Sequence, residues 1–351
     1  MNWPKLEYSK KQVNKAGNIL RSHKRTYEEF LWATKVLNNW RAIHGYPVNT
    51  FQATLRDKCK AINASNALIA QRLKRTPSII NKLLRFDSMQ LARMQDIGGL
   101  RAVVDTPKKV RELRNSYDKS IGRTSFKHEF VGEDDYISYP KVSGYRSLHL
   151  VYRYHNDKVT DYNGLLLELQ IRTQLQHTWA TAVETMGTFL DHALKASEGP
   201  EEWLNFFSLA GSAFAHLENA TPVPGYEKVS KTETFEKVEA EAIRLDVRQR
   251  LQAFSVAVNA ISNDKQRGSY HLIVLNTEKK KVFIWSYGKD RLEAANLRYT
   301  EEEGKIAKGE PIQVVLVAAG PIENLRRAYP NYFLDTREFV SRLDKMRDRK
   351  R

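Results

Sequence analysis

Cysteine is almost missing from this sequence. The single Cys59 excludes an internal disulfide framework and any cysteine-rich zinc site. No run approaches the ~18 apolar residues that cross a bilayer. The opening MNWPKLEYSKK has no apolar core of the signal-peptide kind. A cytoplasmic chain with no membrane partner is therefore expected. Internal repeats and low-complexity segments are also lacking. Acid is in short supply, with 41 Asp and Glu against 57 Lys and Arg, a net charge of +16. Such a balance favours polyanions: nucleotides, RNA or acidic membrane surfaces.

What is present is a globular composition. Hydrophobic residues make up 41% of 351, enough for two or three domains with at least one substantial core. The N-terminal part reads as helical: YEEFLWATKVLNNWRAI and TLRDKCKAINASNALIAQRL space their apolar residues at three and four. HGYPVN between them, with Gly45 and Pro47, reads as a turn. From about residue 95 the pattern shifts to short β-rich runs, LRAVVD, RSLHLVYRY and GLLLELQIRT, with a helix over KKVRELRNSY. That alternation predicts an α/β or α+β core with a mixed sheet. Helices follow over HTWATAVETMGTFLDHAL and EEWLNFFSLAGSAFAHLEN, then a connector, TPVPGY, and one long polar helix from about Lys231 to Ile261. The strands YHLIVLN and KVFIWSY, a helix over RLEAANLRYTEEE, the strand PIQVVLVAA and helices from about Ile322 and Thr336 make a small ββαβα unit, read as a separate domain. The expected boundaries are 1–50 for an N-terminal helical region, 51–195 for the core, 196–262 for a helical extension and connector, and 263–351 for the C-terminal domain.

Four stretches carry candidate chemistry. In RLKRTPSIINKLLR, Arg72 and Lys74 sit two apart and point the same way on an extended segment. Thr76-Pro77 reads as an N-cap followed by proline at the first helical position, with Ser78 and Lys82 one turn apart on one face. This makes a cradle for a triphosphate, or equally a surface helix with solvated lysines. In MQDIGGLRAVVD, Asp96 precedes paired glycines and Arg101 lies in the strand beyond. An aspartate at a strand mouth serves as a magnesium ligand or simply caps a turn. In DDYISYPKVSGYRSLHL, a Gly-containing loop carries Lys141, Tyr145 and Arg146 ahead of His149. An aromatic flanked by cations can stack on a base while they reach its phosphates; a buried turn tyrosine is the alternative. In LLLELQIRTQLQHTWATAVE, strand alternation puts Glu168, Gln170 and Arg172 on one face and the leucines on the other. Glu168 can then join Asp96 around a metal or activate a hydroxyl. His177 and Glu184 follow on a helix, as site residues or as residues at the core edge.

The ordered set RLKRTPSIINKL, QDIGGLRAVV, YPKVSGYRSLHL and LELQIRTQLQHTWA resembles the RelA/SpoT synthetase domain, over roughly residues 50 to 195. The resemblance implies a nucleotidyltransferase-like fold of the α+β class, its mixed sheet flanked by helices, and Mg²⁺-dependent transfer of pyrophosphate from ATP to a 3′-hydroxyl. By motif it implies ATP binding by Arg72, Lys74, Ser78, Lys82 and Arg101, and catalytic and metal-binding roles for Asp96 and Glu168. It further implies stacking of the acceptor base on Tyr145, and acceptor phosphates facing Lys141, Arg146 and His149. Gln170, Arg172 and His177 remain further candidates. No hydrolase half is expected ahead of the motifs, since the first 50 residues are too few for one. The appended unit resembles the C-terminal antitoxin domain of fused toxins that pyrophosphorylate the tRNA 3′-CCA end and are released by a phage protein. A GDP- or GTP-using alarmone synthetase, and a non-enzymatic RNA-binding module, are the other readings. The aromatics of RRAYPNYF, Arg326 to Phe333, either plug the site or pack within their own domain.

Overall fold

The computed structural model describes residues 3–118, 126–190, 194, 197–256, 259–262, 270–279, 281–288, 290–306, 309–318, 329–333 and 335–348. Three helices come first: α1 (Lys10–Arg21), α2 (Tyr27–Ile43) and α3 (Gly45–Ala61). Ser9 with Gln12 and Thr26 with Glu29 form capping boxes on the first two, each satisfying N–H groups that a helix start leaves open. The expected turn at HGYPVN is instead the first turn of α3. Pro47 lies where its missing N–H has no intrahelical partner to lose.

The core then alternates β1 (Leu68–Leu73), α4 (Thr76–Arg85), β2 (Gly98–Val104), α5 (Pro107–Asn115), β3 (Glu129–Asp135), β4 (Leu148–Arg153), β5 (Leu166–Thr173) and α6 (Gln174–Leu190). Helical spacing had carried the second N-terminal helix on through Leu73. The chain turns at Asn63, which has φ of 53°, and LIAQRL pairs antiparallel with β2. Tertiary pairing overrides local periodicity there. β2 and β5 run parallel, β4 is antiparallel to β5, and the acid-rich β3 closes one edge. This is the expected mixed sheet flanked by helices.

Beyond it lie α7 (Glu201–Leu217), α8 (Lys231–Arg244), α9 (Val247–Val256), β6 (Asn259–Ser262), β7 (Tyr270–Asn276), β8 (Lys281–Tyr287), α10 (Leu292–Ile306), β9 (Ile312–Ala318) and α11 (Arg337–Asp348). The long polar helix is broken into α8 and α9 at Asp246, whose φ of 51° is left-handed and incompatible with helix continuation. The helix expected from Ile322 falls outside the described residues.

The C-terminal unit is not separate. β9 pairs with β1 at Gln71–Ala318 and Arg72–Val317, giving one nine-stranded sheet in the order β3-β4-β5-β2-β1-β9-β7-β8-β6. Burial follows the same continuity. Leu68, Ala70 and Val103 share a cluster with Ile273, Val315, Val317, Tyr329 and Phe333. Phe339 and Leu343 of α11 join Phe206, Phe207 and Phe214 of α7. A strand edge paired inside a sheet leaves no row of open backbone groups, so β1 is completed by the unit that follows it by over two hundred residues. Among the described residues no helix is long and apolar enough to cross a membrane.

Candidate active site

The site forms where β1, β2 and β5 lie side by side. Asp96 sits in the turn that delivers the chain into β2. The parallel register opposes Gly99 to Glu168, and an added Cβ at Gly98 would lie 2.7 Å from Val48 and 2.8 Å from Leu167. Only a glycine permits that approach without displacement. On β5 the alternation holds: Leu167, Leu169 and Ile171 are buried in the main core, while Glu168 and Gln170 face a cavity with Asp96, Arg72, Lys74 and Arg101. Both candidate carboxylates thus open on the same small space.

Asp96 is clamped by two ammonium groups, Oδ2 at 2.5 Å from Lys74 Nζ and Oδ1 at 3.0 Å from Lys82 Nζ. Burial pushes its carboxyl up, but the two lysines outweigh that and hold it at about 2. Because its pKa is depressed on folding, the stabilisation is present above its ordinary value of 3.8 and is lost as pH falls through the folded value. We expect the wild type to lose about 2 kcal/mol more than Asp96→Asn between about pH 5 and about pH 2, read by urea unfolding at each pH. Equal acid losses in the two proteins would remove this account of the clamp.

Glu168 is held differently. Its Oε1 lies 2.9 Å from His149 Nδ1, and Gln170 Nε2 donates to Oε2 at 2.7 Å. Burial raises its carboxyl, and the neighbouring His149 more than offsets it, so the shift is downward. His149 Nε2 is in turn 2.8 Å from the Tyr145 hydroxyl. Tyr145, His149 and Glu168 therefore form a chain that fixes the carboxylate in place, and Gln170 steadies its other oxygen.

Arg72, Lys74 and Arg101 line the same cavity, and Arg172 lies buried outside its lining. Arg101 is buried on β2, its Nε without a hydrogen-bond partner among the described residues, and burial and Arg72 push its guanidinium down. Arg172 is 1% exposed; one Nη meets His177 Nδ1, while among the described residues Nε and the other Nη have no hydrogen-bond partner. Burial brings it down to about 9. Glu184 acts on both arginines as the nearby opposite charge. Buried guanidinium donors left open are costly unless an anion completes them.

The structure gathers Arg72, Lys74, Lys82, Asp96, Arg101, His149, Glu168 and Gln170. Ser78 stands half-buried in the first turn of α4, with Thr76 as the first helical residue and Arg75 in the capping position; neither supplies a side-chain cap. His177 turns to Arg172 and lines a different, larger cavity of about 670 Å³. Two expectations for the acceptor side are not met. Tyr145 is 5% exposed and packed beside Trp179, so its ring is not open to a base. Arg146 is turned away, donating to the Thr221 and Ile137 carbonyls, with burial bringing it to about 10. The loop between Tyr145 and β3 is pinned at Gly144, whose φ is 89° and where a Cβ would meet the Phe207 carbonyl oxygen at 2.8 Å. Lys141 instead lies 4.3 Å over the half-buried ring of Tyr136, a pairing whose only sequence signal was an aromatic just before the loop.

One lining residue comes from the far end of the chain. Tyr329 faces the cavity, is 2% exposed, and donates its hydroxyl to the Gln71 carbonyl oxygen at 2.6 Å. The space left is about 40 Å³, against the roughly 300–1,000 Å³ typical of small-molecule sites. Phe333 is buried in the same cluster; Arg326, Arg327 and Ala328 lie outside the described residues. For magnesium, Asp96 and Glu168 supply the one or two hard carboxylate donors the ion takes alongside phosphate and water. Among the described residues no group of three or more His, Cys, Asp or Glu forms a closed protein cage, so the donor set fits an ion shared with a nucleotide.

A family model described as the region found in RelA and SpoT proteins matches residues 71–187. A GTP pyrophosphokinase of Bacillus subtilis, YjbM, is 36% identical over 118 residues, 32% of this chain and 52% of that protein. A probable chloroplastic GTP diphosphokinase of Arabidopsis thaliana is 34% identical over 123 residues, 34% of this chain and 15% of that protein. The chain thus spans about half the length of the bacterial relative and far less of the plant one. The crystal structure of small alarmone synthetase 2 from Bacillus subtilis aligns at 22% identity and a TM-score of 0.43, covering 52% of this chain and 93% of that one. The matched segment opens on β1 and closes on α6, bringing with it every strand that frames the two carboxylates: residues 71–187 are similar to the region found in RelA and SpoT proteins.

Proposed function

We propose that the chain transfers a pyrophosphoryl group from ATP to a ribose 3′-hydroxyl. The 3′-oxygen attacks the β-phosphorus, the bond from that phosphorus to the α–β bridging oxygen breaks, AMP leaves, and the hydroxyl proton passes to Glu168. The observation that carries this reading is the convergence of Asp96 and Glu168 on one cavity with Arg72, Lys74 and Arg101. A carboxylate held below its usual range is ionised at neutral pH and able to accept a proton or hold a cation. Lys74, Lys82, Arg72 and Arg101 would turn to the triphosphate oxygens. Phosphoryl transfer asks of a protein mainly positioning and charge stabilisation, which these cations supply. Mg²⁺, held by Asp96 and Glu168, would neutralise phosphate charge.

We take residues 51–195 as the catalytic core and 263–351 as a regulatory unit whose Tyr329 occludes the nucleotide site. For the acceptor, we favour the tRNA 3′-CCA end. The net charge of +16 suits a polyanion, and neither Tyr145 nor Arg146 is presented to hold a small free nucleotide. On this reading the chain is a toxin with a fused antitoxin unit, released in antiphage defence by a phage protein that binds that unit. The second reading, a GDP- or GTP-dependent alarmone synthetase, is favoured by the names of the two relatives. γ-Labelled ATP incubated with tRNA, GDP and GTP separates them. Label on tRNA alone is the expected outcome; label on guanine nucleotide alone removes the tRNA reading. A protein labelling neither, even with Tyr329 replaced by alanine, is not this enzyme.

A further inference from the structure

The N-terminus of α4 is capped by a residue more than two hundred positions away. Arg75 holds the capping position but its side chain makes no cap bond to the helix, and an arginine side chain has no acceptor to offer the first N–H groups. The backbone N–H of Thr76 donates instead to Glu303 Oε1 of α10 at 3.1 Å. The other oxygen of Glu303 lies 3.3 Å from Arg41 Nη1, in an ion pair whose side chains are 5% and 9% exposed. Arg41 spreads its remaining donors over the same junction: Nε to the Lys74 carbonyl at 2.8 Å, Nη1 to Thr76 Oγ1 at 2.9 Å and Nη2 to the Tyr299 hydroxyl at 2.8 Å. The Tyr299 hydroxyl itself donates to Glu303, and its ring lies 4.8 Å from the Arg41 guanidinium carbon.

We infer that Glu303 and Arg41 form a latch that holds the C-terminal unit closed on the synthetase core, at a point distinct from Tyr329. Three features separate it from an ordinary surface pair. It is desolvated, so breaking it strands a buried guanidinium, whereas an exposed pair would only rehydrate. It joins α2 to α10, and so ties the N-terminal helices to the C-terminal unit. It also places a carboxylate where a helix start favours an anion, two residues beyond Lys74 and on the helix that bears Ser78 and Lys82. While α10 is docked, that helix end is already neutralised by protein charge. As a closing device the latch rests on the reading of the C-terminal unit as an occluding one; as a contact it does not.

Hydrogen exchange on the full-length protein tests it. In Glu303→Gln the amides that join β1 to β9, in segments 68–73 and 312–318, should exchange roughly tenfold faster or more, as expected when a buried pair loses one partner. Exchange in α1 and β4 should not change, and the exposed Glu301→Gln on the same helix should behave as wild type. Tyr299→Phe, which keeps the ring and removes only the hydroxyl, should show a smaller acceleration and carries the test if Glu303→Gln does not fold. Wild-type exchange between β1 and β9 in whichever of these variants folds overturns the latch. Label transfer run in parallel distinguishes the two claims. Faster exchange with faster transfer supports both; faster exchange with no transfer in any variant, Tyr329→Ala included, supports the latch and removes the enzymatic reading.

Discussion

Glu168→Gln is expected to lower pyrophosphate transfer by about 10³-fold while the protein stays folded, in line with the ~10²–10⁴ supplied by a positioned acid–base group. The amide keeps the size of the carboxylate and can still accept from one neighbour, so the Gln170 contact at 2.7 Å and the His149 contact at 2.9 Å are perturbed rather than erased. What disappears is the negative charge that would take the hydroxyl proton and hold a cation. Melting temperature should therefore move little while kcat collapses. The comparison is cleanest in the Tyr329→Ala background, where occlusion does not mask the chemistry. Activity within tenfold of the parent would show that Glu168 is a structural residue, and the proposed mechanism would go with it.

Tyr329→Ala is expected to act in opposite directions on stability and on activity. The side chain is almost wholly buried beside Ile273, Val315 and Val317, and truncating a large buried aromatic costs about 3–5 kcal/mol. A damaged enzyme would lose activity along with stability. An occluded one should gain, because a site available only in a minor open population binds with an affinity reduced by that fraction. We expect ATP binding and label transfer to rise tenfold or more, with Tyr329→Phe, which loses only the 2.6 Å bond to Gln71, showing a smaller gain. Reduced stability with no gain in ATP binding would mean that Tyr329 packs without occluding.

The parts of the site legible in the sequence were those that local geometry controls. Period-two alternation in LLLELQIRT put Glu168 and Gln170 on one face because a strand admits no other arrangement. Gly98 marked a close approach because only glycine lacks the atom that would clash, whereas an added Cβ at Gly99 would meet nothing nearer than the Arg72 carbonyl oxygen at 3.8 Å. Local reading failed where tertiary contacts competed with it. LIAQRL keeps a helical spacing but pairs as a strand, and HGYPVN carries turn residues but starts a helix. Tyr145 and Arg146 sit in a loop of the right composition, yet Trp179 on α6 and the Thr221 carbonyl draw them inward. No local pattern distinguishes a tyrosine that stacks on a base from one that packs on an indole.

The sequence alone determined the alternating core, the carboxylate on β5, the aspartate ahead of the paired glycines and the order of the motifs that hold them. Each depends on neighbours within a few residues, where backbone sterics and side-chain direction leave little choice. Tertiary structure decided that Asp96 and Glu168 line one cavity, that β9 completes β1, that Tyr329 enters the cavity and that Glu303 caps α4. These contacts join residues from 72 to more than 200 positions apart. They form only when the packed sheet brings their elements together, and that choice depends on the burial and desolvation of the whole molecule, which leave no periodic trace along the chain.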